Sequence, residues 1–360
     1  MTSAYSDDTT SPGGTSTLPI IDLSPFLKHS STPQAQQVTS SAINRACTDY
    51  GFFYLTGHGI PTSRLDEVIS LARSFFALPV DEKNKIKRHP AGGPEGGDGA
   101  RGYQSMGENV TAGKRDMHEA IDLYREWDHA QKETGDGGPG TFKTLQGPNL
   151  WPEEPKKLNE VYLHYITQLQ HVGEALVRAM GQALDLPAPD STAANSPGTE
   201  DSEIFVRNTD RSFWVMRLIG YPKLDTPIDT SASDSSFSCG EHSDYGCVTL
   251  LLADSTPGAL QALHKDGKTW INADPIPGHF VVNIGDMIER WTHGLWKSTR
   301  HRVIHRGEGY RVSVPFFYEP NFEAVVRPLG KCVERSGGGV KGREVVYGEH
   351  LMGKVVGNFY

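Results

Sequence analysis

His242 and Asp244, two positions apart, are followed by a distant His301 and then by Arg311 and Ser313. Side chains two apart on a strand share a face. His242 and Asp244 can therefore hold one metal ion between them, while a histidine from a neighbouring strand supplies a third ligand. Two histidines and one carboxylate on one side of an ion, with the opposite positions open, suit a ferrous centre that must also bind a co-substrate and dioxygen.

Arg311 lies ten residues beyond His301 and Ser313 two beyond that. The run YRVSVPFFYE, residues 310 to 319, reads as a strand, so Arg311, Ser313 and Phe317 point the same way. A planar guanidinium beside a hydroxyl is a receptor for a carboxylate, because it offers two parallel charged hydrogen bonds. An acid gripped at its far end by Arg311 can chelate the metal with its near end, which is what a 2-oxo acid requires. Phe317, on the same face, is a candidate ring for stacking against substrate. His305 competes with His301 for the third ligand position. His58, in the turn-like TGHGIP, reads as a turn-forming residue, and Arg217 as either a contact to co-substrate or substrate or a structural ion pair.

At these residues the chain resembles the 2-oxoglutarate/Fe(II)-dependent dioxygenases related to isopenicillin N synthase. The resemblance runs through LPIIDLSPFL (Leu18 to Leu27), ACTDYGFFYLTGHGIP (Ala46 to Pro61), FFALPVDEK (Phe75 to Lys83) and RGY (Arg101 to Tyr103). It continues through MRLIGYP, CGEHSDYGCVTLLLAD, FVVNIGDMIERWTHGLWKSTRHRV and YRVSVPFFYEPN in family order. It implies that His242, Asp244 and His301 ligate Fe(II), and that Arg311 and Ser313 bind the distal carboxylate of 2-oxoglutarate. Tyr221 stands where a family tyrosine also reaches that carboxylate, although Ile219 and Gly220 replace the Asn-Tyr of many members. Tyr103 stands where the family often brings a residue over the active-site mouth. KSTRHRV matches the segment around the family's distal ligand, which favours His301 over His305.

Composition is that of a soluble globular protein: 360 residues, 37% hydrophobic, 22% charged, net charge −9. The length suffices for a sizeable core. Without a long basic run, nucleic acid and anionic membrane are not expected partners. A polar N-terminus without a signal-peptide core and the lack of a span-length apolar stretch point to the cytoplasm. Cys47, Cys239, Cys247 and Cys332 form no CxxC and read as free thiols of a reducing compartment.

Residues 1–17 are Ser/Thr/Gly/Pro-rich and read as a disordered tail. A helical and strand region follows over 18–186, with a short strand at Leu18 to Ile21 and Ser24-Pro25 as a helix start. An amphipathic helix is expected from Ser63 to Phe76 and a long one from about Pro155 to Leu186. Residues 187–201 read as a surface insertion. Alternating short strands then occupy 212–220, 247–252, 280–284, 301–305 and 310–318. Combined with the resemblance, 204–323 is a double-stranded β-helix (jelly-roll) core, the fold being mainly β with flanking α-helices, and 324–360 a C-terminal segment. The polar stretch 225–238 is a candidate lid.

The expected activity is Fe(II)- and 2-oxoglutarate-dependent oxidation of a small metabolite, with release of succinate and CO2. Hydroxylation is the usual outcome, with desaturation and ring closure open beside it, and secondary metabolism a natural setting. O2 is consumed, ascorbate is a candidate stimulant, and a monomer is the expected state. The alternatives are an isopenicillin N synthase-like oxidase that uses no 2-oxo acid, a zinc hydrolase, and a non-catalytic metal-binding jelly roll. The substrate itself is not legible in the sequence.

Overall fold

The computed structural model describes residues 18–28, 30–89, 99–111, 113–126, 145, 148–189, 199–224, 237–339 and 343–359. The expected tail, residues 190–198 of the insertion, most of the candidate lid and most of the Gly-rich stretches at about 91–100 and 134–148, which read as loops, lie outside these residues.

Two sheets face each other. The larger has eight strands in the order Ile20–Asp22, Phe52–Thr56, Phe280–Ile284, Val248–Ala253, Arg311–Tyr318, Val215–Tyr221, Glu119–Tyr124 and Gly102–Gln104. The smaller has four, in the order Trp270–Asn272, Leu260–Leu263, His301–Val303 and Cys239–His242. The sequence pattern locates the central strands to within about three residues. It misses Phe52–Thr56, Gly102–Gln104 and Glu119–Tyr124 from the N-terminal region, and Leu260–Leu263 and Trp270–Asn272 of the smaller sheet. Every residue of Glu119–Tyr124 is buried, so no polar alternation marks it as a strand. The strand expected over 301–305 ends at Val303, where its pairing with Cys239–His242 is irregular.

The helices cover the large sheet. In Thr62–Phe76 the buried residues Leu65, Val68, Ala72, Phe75 and Phe76 recur at helical spacing along one face. Helix Leu158–Ala183 backs the sheet. Its Gly173 lies over the ring of Tyr318, and a Cβ there would come within 2.6 Å of that ring. The helix thus sits directly behind the strand that carries Arg311. Helix Pro33–Asp49, capped by the Thr32 side chain on Ala35 N–H, is absent from the sequence reading. Its buried face is Thr39, Ser40, Ile43, Ala46 and Cys47, which has too little apolar contrast to announce itself. The first helix is Ser24–Leu27, with Ser24 inside it rather than at the cap. Asp22 instead accepts from the Ser24 N–H at 2.9 Å.

Candidate metal centre and active site

His242 and His301 are direct cross-strand partners in the smaller sheet, so both imidazoles leave the same face side by side. His242 Nδ1 lies 2.7 Å from Gly240 O, and His301 Nδ1 lies 3.1 Å from Thr299 O. A carbonyl only accepts, so each Nδ1 carries the proton and each Nε2 presents a lone pair. The two Nε2 atoms lie 3.8 Å and 3.5 Å from Asp244 Oδ1. The three donor atoms fall within 4.8 Å of one another, a cluster able to hold one metal ion.

Asp244 reaches this point differently from the sequence expectation. The strand stops at His242, and Asp244 lies in the turn beyond it. Its carbonyl accepts from Asp286 N–H at 2.8 Å. Its Oδ2 accepts from Thr249 Oγ1 and, at 2.6 Å, from Asn283 Nδ2. Thr249 and Asn283 are themselves cross-strand partners in the large sheet. The carboxylate is therefore tied to one sheet while the histidines stand on the other. Burial acts to raise the Asp244 carboxyl, but the His301 and His242 imidazoles and the Thr249 hydroxyl outweigh it and hold it well below the usual range.

Arg311 is buried on the large sheet, opposite Tyr221 in register, with its guanidinium carbon 4.9 Å from the centre of the Tyr221 ring. Its Nε and Nη1 are buried without a hydrogen-bond partner. A buried guanidinium with donors unspent costs free energy unless an anion completes it. Ser313, also buried, follows two residues on along the same strand. The donor set and the unspent Arg311 donors fit a ferrous ion and a dicarboxylate.

A cavity of about 410 Å³ opens beside His242 and Asp244, a volume suited to a small molecule. Phe317 lines it. Tyr103 does not: it is buried behind the sheet, where its hydroxyl donates to Glu119 Oε2 at 2.6 Å beside the Lys83–Glu119 ion pair. The expected position over the mouth is taken instead by helix Tyr347–Phe359, which brings Tyr347, Leu351 and Lys354 to the cavity. Arg217 lines the cavity and is held in the ion-pair reading, with its Nε 2.6 Å from Asp122. His305 is not part of the cluster; its Nε2 binds Gly309 O at 3.0 Å. His58 is a turn residue, accepting from Ile60 N–H at 3.2 Å.

Sequence reasoning misses three buried carboxyls on the cavity wall, Asp116, Asp122 and Glu319. Asp116 accepts from Gly240 N–H at 2.8 Å and from Thr111 Oγ1 at 2.7 Å. Glu319 is pushed up to about 8, first by burial and then by the nearby Asp244 charge. A signal for Glu319 exists, since it continues the alternation of Arg311, Ser313 and Phe317. None exists for Asp116.

A jelly roll that converges two histidines and a carboxylate beside a buried cationic clamp defines a non-haem iron oxygenase. Residues 18–154 match the profile of the non-haem dioxygenase in morphine synthesis N-terminal region, and residues 215–320 match that of the 2OG-Fe(II) oxygenase superfamily. Homoarginine-6-hydroxylase 2-ODD-C23 of Glycine max is 40% identical over 349 residues, 96% of this chain and 98% of that protein. Homoarginine-6-hydroxylase 2-ODD-C23.1 of Arabidopsis thaliana is 42% identical over 351 residues, covering 95% and 97%. A full-length Neurospora crassa protein, solved in complex with alpha-KG, shares the fold with a TM-score of 0.73 at 24% identity, covering 96% and 98%. The chain belongs to the 2OG-Fe(II) oxygenase superfamily. It is an Fe(II)- and 2-oxoglutarate-dependent dioxygenase acting on a small molecule, and of the readings the sequence left open this is the one that stands.

Proposed function

We propose that this enzyme hydroxylates a small cationic amino acid, of which homoarginine is the case named for its plant relatives. The observation that carries this reading is the surplus of carboxyl groups over cationic side chains on the cavity wall. Asp122 and Glu241 are neutralised by Arg217 and Arg300, at 2.6 Å and 2.9 Å. Asp244 is committed to the metal position. Asp116 and Glu319 remain, against the single amine of Lys354, which is exposed at the rim. An excess of buried carboxyls around the cavity favours a positively charged guest.

In this reading His242, Asp244 and His301 hold the iron, with Gly240 O and Thr299 O fixing the imidazoles and Thr249 and Asn283 fixing the carboxylate. Arg311 and Ser313, with Tyr221 against the guanidinium, grip the far carboxylate of 2-oxoglutarate. Phe317 forms the apolar wall along which the substrate chain lies. When bound, the iron and its co-substrate supply oxidative decarboxylation to succinate and CO2 coupled to hydroxylation of a substrate C–H bond. The protein orients the substrate and keeps water out, since Asp244, His301, Arg311 and Ser313 are all buried.

Residues 204–323 form the catalytic core of this proposal, closed by 18–186 and 324–360. The enzyme is taken as a cytoplasmic monomer without nucleic-acid or membrane partners. The net charge of −9 disfavours nucleic acid and anionic membrane as partners, and among the described residues no helix is long and apolar enough to cross a membrane. Succinate release with Fe(II), O2 and 2-oxoglutarate tests the substrate reading. Homoarginine should raise it well above the substrate-free rate, and a response only to neutral or acidic metabolites would sink it.

A further inference from the structure

Arg311, Ser313, Phe317 and Glu319 alternate along one strand and its immediate continuation. The face that carries the co-substrate clamp therefore runs on into the substrate cavity and ends at a carboxyl group. Glu319 is only 5% exposed and lines that cavity. Its carboxylate sits where a side chain at position 246 would otherwise be: a Cβ on Gly246 would fall 1.0 Å from Oε2. Gly246 is two residues after Asp244, and Glu319 Oε2 accepts from the next N–H, Cys247, at 3.1 Å. The carboxyl is thereby moored to the turn that presents Asp244 to the metal position.

The other acids of the cavity are spent. Asp122 and Glu241 have arginine partners, and both oxygens of Asp116 accept hydrogen bonds from Thr111 and Gly240. Glu319 has no ion-pair partner among the described residues, and the donors beside it, Cys247 N–H and the Tyr347 hydroxyl, are neutral. Phe317, Tyr124 and Tyr347 line the same cavity. Aromatic faces of this kind complement a guanidinium, which stacks on rings while its N–H groups engage a carboxylate.

We propose that Glu319 is the specificity-determining residue that receives the substrate guanidinium, and that it holds the adjoining methylene beside Asp244 and the metal position. In homoarginine that methylene is carbon 6, the position in the names of the relatives. The assignment rests on the cationic-substrate reading above and adds the residue and the orientation.

The test is anaerobic titration of the Fe(II)·2-oxoglutarate enzyme with homoarginine, followed through the perturbation of its visible charge-transfer band. Homocitrulline, which has the same length and a neutral ureido end, serves as control. The wild type should prefer homoarginine strongly. Glu319→Gln keeps an oxygen to accept from Cys247 N–H but removes the charge. It should weaken homoarginine binding by about 30-fold or more and bring the two ligands to within about threefold of each other. Affinity for 2-oxoglutarate should change by less than about threefold, because Arg311 is untouched. Unchanged homoarginine affinity in Glu319→Gln would overturn the assignment. So would parallel loss of 2-oxoglutarate binding, which would mark Glu319 as structural. If the wild type binds no cationic amino acid yet accepts a neutral metabolite, the substrate reading itself fails, a result separable from the other two.

Discussion

The ring centroids of His242 and His301 lie 4.3 Å apart across an antiparallel strand pair, each imidazole locked by a backbone carbonyl two residues before it. This one relationship aims two lone pairs at a common point before any metal arrives. His242→Ala should therefore lose stoichiometric iron as well as turnover. Metal analysis of the purified variant checks it, and a fully iron-loaded, active His242→Ala would show the site to be misassigned.

Asn283 and Thr249 hold the outer oxygen of Asp244 from adjacent strands. Removing a group that orients a metal ligand typically costs about 10- to 100-fold in metal affinity. Asn283→Ala should show a loss of that order in Fe(II) affinity by anaerobic titration, with the melting temperature of the metal-free protein little changed. An unaltered iron affinity would mean that the turn alone positions Asp244.

Arg311 is buried with Nε and Nη1 unpaired. Arg311→Gln should raise KM for 2-oxoglutarate by about 100-fold or more, since a two-pronged charged contact is lost. Arg311→Lys should recover only part of it, because an ammonium cannot reproduce the planar fork. Equal KM values in wild type and Arg311→Gln would remove Arg311 from the co-substrate site.

Glu319 links pH to stability. Its folded value of about 8 stands above the ordinary carboxyl value of 4.5 because of burial and the charge on Asp244. A group raised on folding contributes stability that is fully present below its unfolded value and is lost as pH rises through the folded one. Between about pH 4.5 and 8 the metal-free protein should lose thermal stability through this group. Glu319→Gln should flatten that part of the melting-temperature profile, and superimposable wild-type and variant profiles would refute the linkage.

A complementary dependence holds for binding. A guanidinium seated on Glu319 favours its ionised form, so the KM for homoarginine should fall as pH is raised toward 8. Glu319→Gln should show a flat KM over the same range. A wild-type KM that rises with pH would contradict the pairing.

The types and order of the reactive side chains are determined by the sequence alone. Arg311, Ser313 and Phe317 are legible as one face because strand alternation has period two and acts over neighbouring residues. His301 is distinguishable from His305 only through its resemblance to a family segment. The long helix Leu158–Ala183 is readable because its apolar stripe persists over many turns, whereas Pro33–Asp49, with a weakly apolar buried face, is not.

Tertiary structure decided where those side chains meet. Asp244 shares the metal point with His242 not through strand alternation but through Asn283, 39 residues away, and Thr249 on a different sheet. Tyr103, which family position put at the mouth, is drawn inward by a buried hydrogen bond to Glu119. The cavity wall gathers residues from Asn109 to Lys354. Local patterns report which face of an element is apolar. They do not report which elements become neighbours, because that depends on how the whole chain buries its apolar surface and pairs its backbone.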